Sequence, residues 1–150
     1  MKNLKSVDEI LDYAIKEEEN AVRFYTELAE KARHSHLQKV FLEFADEEEA
    51  HKSKLQAAKN GMTFKPSEKE VLDLKISDYT ADVSTDAIDT FEDALVVAMK
   101  KEKAAYKLYT RLAGMASEGD VRDLFIALAQ EEAKHKLRFE IEYDNSMGDN

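Results

Sequence analysis

The sequence repeats at an offset of 84 residues, and the repeat is carried by glutamate and histidine side chains. Glu18, Glu48 and His51 in the first half recur as Glu102, Glu132 and His135 in the second. Each half thus offers one Glu, an interval of thirty residues, and then Glu-x-x-His. Four carboxylates and two imidazoles make a complete ligand set for two bridged cations. A single Glu-x-x-His is weak evidence in a chain with 32 Asp and Glu, because exposed salt-bridging patterns produce it often. Two copies, each trailing a Glu by the same interval, are far more specific.

The spacing of apolar residues predicts an all-α chain. Helix one is expected over about 6–33, opened by Ser6-Val-Asp-Glu9 with capping-box spacing. Its apolar positions, Leu11, Ala14, Ile15, Ala21, Val22, Tyr25, Ala29 and Ala32, lie within about 60° of Glu18 on a helical wheel. Helix two is expected over about 35–60, with Gly61 as its stop and a stripe of Leu37, Phe41, Phe44, Ala45 and Leu55. Glu48 and His51 fall inside that arc, whereas Glu47 and Glu49 lie roughly 80° or more from its centre. Residues 61–89 read as a long crossover that can hold one short helical turn. Helix three is expected over about 91–116, preceded by the capping arrangement Thr90-x-x-Asp93, and helix four over about 120–143 after Gly119-Asp120. Short connections within each pair and one long crossover predict a four-helix bundle of two antiparallel hairpins, a single domain over residues 1–150.

The offset also preserves Leu11/Leu95, Ala14/Ala98, Ala21/Ala105, Tyr25/Tyr109, Leu28/Leu112, Ala29/Ala113, Phe41/Phe125, Ala45/Ala129 and Glu47/Glu131. An internal pseudo-two-fold follows, with the two ligand sets meeting across its axis. In the run Glu17-Glu18-Glu19 the second half has Lys101-Glu102-Lys103, so only the middle carboxylate survives the comparison. The flanking charges are expected to face solvent.

Composition removes other classes of function. The formal charge of −10 argues against a nucleic-acid-binding surface, which needs clustered positive charge. Four ligand carboxylates would account for part of that charge, balanced by two divalent cations. The absence of cysteine excludes disulfides, thiolate chemistry and Cys-ligated zinc or iron–sulfur clusters. No stretch approaches ~18 uninterrupted apolar residues, and the opening segment carries charges where a signal peptide needs an apolar core. A cytoplasmic protein that engages no membrane is expected.

Residues i and i+3 share a helix face, so Glu48 with His51, and Glu132 with His135, can each reach one metal. Carboxylates can bridge and imidazoles can cap, leaving positions for dioxygen or peroxide between metals ~3.5–4 Å apart. The competing reading is a buried polar network in an ordinary bundle. Its cost is high, since each uncompensated buried charge costs several kcal/mol. Tyr25 and Tyr109 stand seven residues beyond Glu18 and Glu102 on the same face. Their hydroxyls can orient a ligand carboxylate or deliver a proton or electron, or they can simply be core aromatics. His34 and His36 are expected in an exposed turn rather than in a second metal site.

At these residues the chain resembles the ferritin-like superfamily, most closely the rubrerythrin-type proteins. Ala14-Ile-Lys-Glu-Glu18-Glu-Asn-Ala-Val-Arg-Phe-Tyr25 and Ala98-Met-Lys-Lys-Glu102-Lys-Ala-Ala-Tyr-Lys-Leu-Tyr109 look like the family's ligand helices. Ala45-Asp-Glu-Glu48-Glu-Ala-His51 and Ala129-Gln-Glu-Glu132-Ala-Lys-His135 look like its Glu-x-x-His helices. The resemblance implies two iron ions cycling between Fe2+ and Fe3+, with manganese as the alternative metal. Glu48 and Glu132 would bridge, Glu18 and Glu102 would be terminal ligands, and His51 and His135 would each cap one iron. It further implies an oxidoreductase that reduces peroxide or dioxygen, or else an iron-handling protein of ferroxidase type, working as a homodimer.

Four departures qualify that expectation. Rubrerythrins proper carry a Cys-ligated rubredoxin domain, and this sequence has no cysteine, so the electron donor is expected to be an external protein. They also carry an extra Glu three residues after the helix-three ligand, where this chain has Ala105; the remaining set resembles the symmetric ferroxidase site of bacterioferritins. No fifth helix of the bacterioferritin-shell kind is expected after helix four, and Glu49 replaces the haem-ligating Met. A stand-alone bundle is the expectation.

Overall fold

A computed structural model describes residues 6–81 and 88–148. Its elements are α1 (Val7–Lys31), α2 (Ser35–Gly61), a short α3 (Glu68–Asp73), a 3-10 turn (Ile76–Tyr79), α4 (Phe91–Met115) and α5 (Asp120–Gly148). No strand occurs among the described residues. The chain divides after Asp73 into two compact units, one containing α1 to α3 and the other the 3-10 turn, α4 and α5.

In the first unit, the Ser6 hydroxyl accepts the Glu9 N–H at 3.2 Å and opens α1 where the sequence predicted. Asp8 and Glu9 in the first turn favour the positive end of the helix dipole. A short link through Ala32 returns the chain as α2, and the two helices pack along each other. Leu11, Ala14, Phe24, Tyr25 and Leu28 of α1 and Val40, Phe41, Phe44 and Leu55 of α2 are buried. The buried face is turned from the predicted stripe: Ile10, Phe24 and Leu28 are inside, while Ile15, Ala21, Val22 and Ala32 are only half-buried. Phe24 and Leu28 bury more apolar area than Ala21 or Ala32 would.

Ion pairs cross α1 and α2 on the outside, among them Lys59 Nζ to Asp12 Oδ1 at 2.5 Å and Lys52 Nζ to Glu19 Oε1 at 3.4 Å. Gly61 does not end α2 in a left-handed conformation. It is the last helical residue, and extended Met62 closes the helix by donating its N–H to the Ala58 carbonyl at 2.9 Å. The crossover holds more structure than predicted. Ser67 accepts the Glu70 N–H at 3.1 Å and Glu70 Oε1 accepts the Ser67 N–H at 3.3 Å, a reciprocal cap that starts α3 straight after Pro66. Residues 82–87 of the expected crossover lie outside the described residues.

In the second unit, α4 begins at a full capping box. Thr90 Oγ1 accepts the Asp93 N–H at 3.1 Å, and Asp93 Oδ2 accepts the Thr90 N–H at 3.3 Å. The 3-10 turn and α5 both pack on α4. Gly119 leads into α5 at φ +141°, a backbone conformation L side chains rarely adopt, which explains glycine at this tight turn. α5 runs to Gly148, beyond the predicted end near Tyr143. Asp144, Asn145 and Ser146 favour turns, but the Ser146 hydroxyl donates to Glu92 of α4 and holds the added turn against its neighbour. Among the described residues, no helix is long and apolar enough to cross a membrane.

Candidate metal centre

Glu18 lies mid-way along α1, four residues after Ala14, and the small side chain one turn back leaves space beside the carboxylate. Glu48 and His51 share one face of α2 three residues apart. All three are buried, at 2–3% exposure, while Glu47 and Glu49 are exposed. The inward choice among three consecutive glutamates is thus the one the helical wheel predicts. His51 Nδ1 stands 3.5 Å from Glu48 Oε1 and 3.7 Å from Glu18 Oε2. One ligand atom from each residue of the triad lies within 4.8 Å of the others.

The second unit repeats the arrangement. Glu102 of α4 follows Ala98 by one turn, and Glu132 and His135 share a face of α5. Exposures are 1–3%, His135 Nδ1 is 3.6 Å from Glu102 Oε2, and this triad also fits within 4.8 Å. In both units the imidazole turns Nδ1 to the glutamate of the preceding long helix, so the sequence repeat is a repeat of geometry.

The donors fit a divalent first-row cation. With metal–ligand bonds of about 2.1 Å meeting at about 90–110°, neighbouring donor atoms stand about 3.0–3.4 Å apart. The imidazole–carboxylate separations of 3.5–3.7 Å exceed that by a few tenths of an ångström, beyond good hydrogen-bonding distance for those pairs. Mixed carboxylate and imidazole ligands suit iron, manganese or zinc rather than a soft cation. Two carboxylates per triad withdrawn from water carry a desolvation cost of several kcal/mol each, which a cation offsets.

The flanking charges behave less simply than expected. Glu17 and Glu19 are half-buried rather than fully solvated, and Glu19 is engaged by Lys52. Tyr25 and Tyr109 are among the largest fully buried side chains. Tyr25 stacks on Phe41 at a 6.5 Å centroid separation and meets Phe24 and Phe44 edge-on at 5.3 and 5.9 Å. His34 and His36 are exposed at the α1–α2 turn. His36 lies fifteen residues before His51, about 22 Å along α2, and plays no part in the triad.

The rubrerythrin family model matches residues 9–143, a span that includes both triads. The chain belongs to the rubrerythrin family. Its fold is ferritin-like. A Thermotoga maritima protein described as a ferritin-like diiron-carboxylate protein superposes with a TM-score of 0.79, at 24% identity over 97% of this chain and 99% of that one. A hypothetical protein from Pyrococcus furiosus gives a TM-score of 0.69, at 26% identity over 93% of this chain and 89% of that one. No curated protein matches the chain. This rubrerythrin-family chain has no cysteine, so none of its 150 residues forms a Cys-ligated electron-transfer module.

Proposed function

We propose that these six residues hold two iron ions, and that the protein is an oxidoreductase reducing hydrogen peroxide or dioxygen with electrons from an external donor. The observation that carries this reading is the buried Glu/Glu/His triad built twice, with ligand atoms in each triad within 4.8 Å of one another. Iron held there would supply two electrons together to one oxidant molecule.

The chain's own contributions follow from its geometry. Glu18, Glu48, Glu102 and Glu132 provide negative charge where water is excluded, and the rigid backbone of long helices fixes their directions. His51 and His135 present Nδ1 toward their carboxylates. Tyr25 and Tyr109, buried two turns along from Glu18 and Glu102, are assigned the roles of orienting a ligand carboxylate and moving a proton or electron. The aromatic packing around Tyr25 limits how far its ring can move.

The deciding experiment follows hydrogen peroxide consumption by iron-loaded protein with excess reduced electron-carrier protein. Repeated turnover, many peroxides per chain, is expected. Oxidation that stops after the bound iron is consumed, with or without donor, identifies an iron-handling protein instead. Dioxygen in place of peroxide, run in parallel, ranks the two oxidants.

A further inference from the structure

The repeat that matches the ligands also exposes where the two halves differ. Between Ala94 and Met115, α4 has five cations and one acidic residue, and that residue is the buried Glu102. The equivalent stretch of α1 is predominantly acidic. Charge reverses at Glu17/Lys101, Glu19/Lys103 and Glu27/Arg111, and stays positive at Lys16/Lys100 and Arg23/Lys107. In a chain of net charge −10, this helix is the exception.

Four of these cations form a line. Lys100, Lys103, Lys107 and Arg111 fall within an arc of about 80° and span about 16 Å along the helix. Lys100, Lys103 and Lys107 are exposed and Arg111 is half-buried. Among the described residues, none of the four makes an ion pair or hydrogen bond, in contrast to Lys52, Lys59, Lys134, Lys136 and Arg138. Exposed Tyr106 sits beside the line at 41% exposure. Tyrosine and arginine are enriched at interfaces, and Tyr106 and Arg111 supply one of each beside the lysines. Four like charges in a row repel one another, so an acidic partner gains more from them than from scattered lysines.

The position of the line relates it to the metal site. Glu102 lies between Lys101 and Lys103 in sequence and about 140° round the helix from the centre of the cationic line. One helix thickness, about 10–12 Å with side chains, therefore separates an object docked on the line from a proposed iron ligand.

We propose that this face of α4 is the docking site for an acidic one-electron carrier protein, the external donor that the proposed activity requires. The inference rests on the oxidoreductase reading above. Each encounter oxidises one carrier by one electron. Two encounters, with two protons from solvent, provide what is needed to reduce one hydrogen peroxide to two waters. Charge pairing with Lys100, Lys103, Lys107 and Arg111 orients the carrier and raises its association rate, an effect that added salt screens.

The test uses the iron-loaded chain, its Lys103→Glu/Lys107→Glu variant, and an acidic plant-type [2Fe–2S] ferredoxin as probe. Binding of oxidised ferredoxin is measured by calorimetry, and reduction of the chain by reduced ferredoxin is followed by stopped flow. At low ionic strength the variant is expected to bind at least ~10-fold more weakly and to be reduced at least ~10-fold more slowly, with the differences shrinking as salt is raised. Iron content, helical circular dichroism and the end-point of reduction by excess dithionite should match the parent. No binding to the parent, or binding that the substitutions leave unchanged, overturns the docking site. Self-association of the parent, or binding to phosphatidylserine vesicles, that the substitutions abolish without affecting ferredoxin also overturns it, in favour of a second copy or an anionic membrane. A parent that holds no iron but still shows salt-sensitive ferredoxin binding lost in the variant refutes the oxidoreductase reading and keeps the surface.

Discussion

Glu48 is buried at 2% exposure between two exposed glutamates, and the difference is one of angle alone. Glu47→Ala and Glu49→Ala should leave iron binding intact, whereas Glu48→Ala should abolish it at one or both metals; anaerobic titration with ferrous iron reads the stoichiometry directly. Equal loss from all three variants would mean that net negative charge, rather than a ligand, is what matters. Tyr25→Phe keeps the stacking on Phe41 and removes only the hydroxyl. Full iron content with about tenfold slower peroxide-driven oxidation is expected, measured by stopped-flow absorbance. An unchanged rate would reduce Tyr25 to a core aromatic. These residues were legible in the sequence because the repeat compared each candidate with a second copy of its environment. The cationic line on α4 was equally visible as a break in that comparison, but its acidic counterparts in α1 draw no attention in an acidic chain.

At the scale of the helices, ends decide more than middles. Thr90 and Asp93 satisfy each other's backbone N–H groups at the start of α4. Thr90→Ala should destabilise the protein by about 1 kcal/mol, read as a lower urea midpoint with an unchanged slope. Glu92 lies in the same first turn, and the Ser146 hydroxyl that donates to it holds its carboxyl below the usual carboxylate range. A lowered value in the folded state means the contribution is present above the ordinary range and lost as pH falls through the lowered one. Ser146→Ala should return the Glu92 titration toward the ordinary range and loosen the last turn of α5, seen by NMR titration and faster amide exchange after Tyr143. Lys59 shows the opposite sign: its hydrogen bond to Asp12 raises its pKa. That contribution is complete below the ordinary lysine range and disappears as pH rises through the raised value; both groups are solvent-facing, so its size is small. The four long helices were readable from periodicity because 25- to 29-residue amphipathic runs leave little ambiguity. The rest turned on tertiary contacts and on signals that were short. Ser67-x-x-Glu70 was a capping box in plain view within a segment of no sustained period, Gly61 needed no left-handed turn, and α5 outran its turn-forming residues because Glu92 was within reach of Ser146.

For the whole molecule, a site that burdens the core with carboxylates should make stability depend on metal. Saturating ferrous iron at about one hundred times its dissociation constant should stabilise the fold by about 2.7 kcal/mol. For a chain of this length that raises the melting temperature by roughly 5–11 °C over chelator-treated protein, measured anaerobically by calorimetry. No shift would leave the buried glutamates as a polar network with no demand for a cation. The central claim is the dimetal ligand set, and elemental analysis of anaerobically reconstituted protein tests it most directly, with Glu48→Ala/Glu132→Ala prepared alongside. About two irons per chain in the parent and none in the double variant is the predicted result; a parent that stays empty with both iron and manganese, while folded, would contradict it.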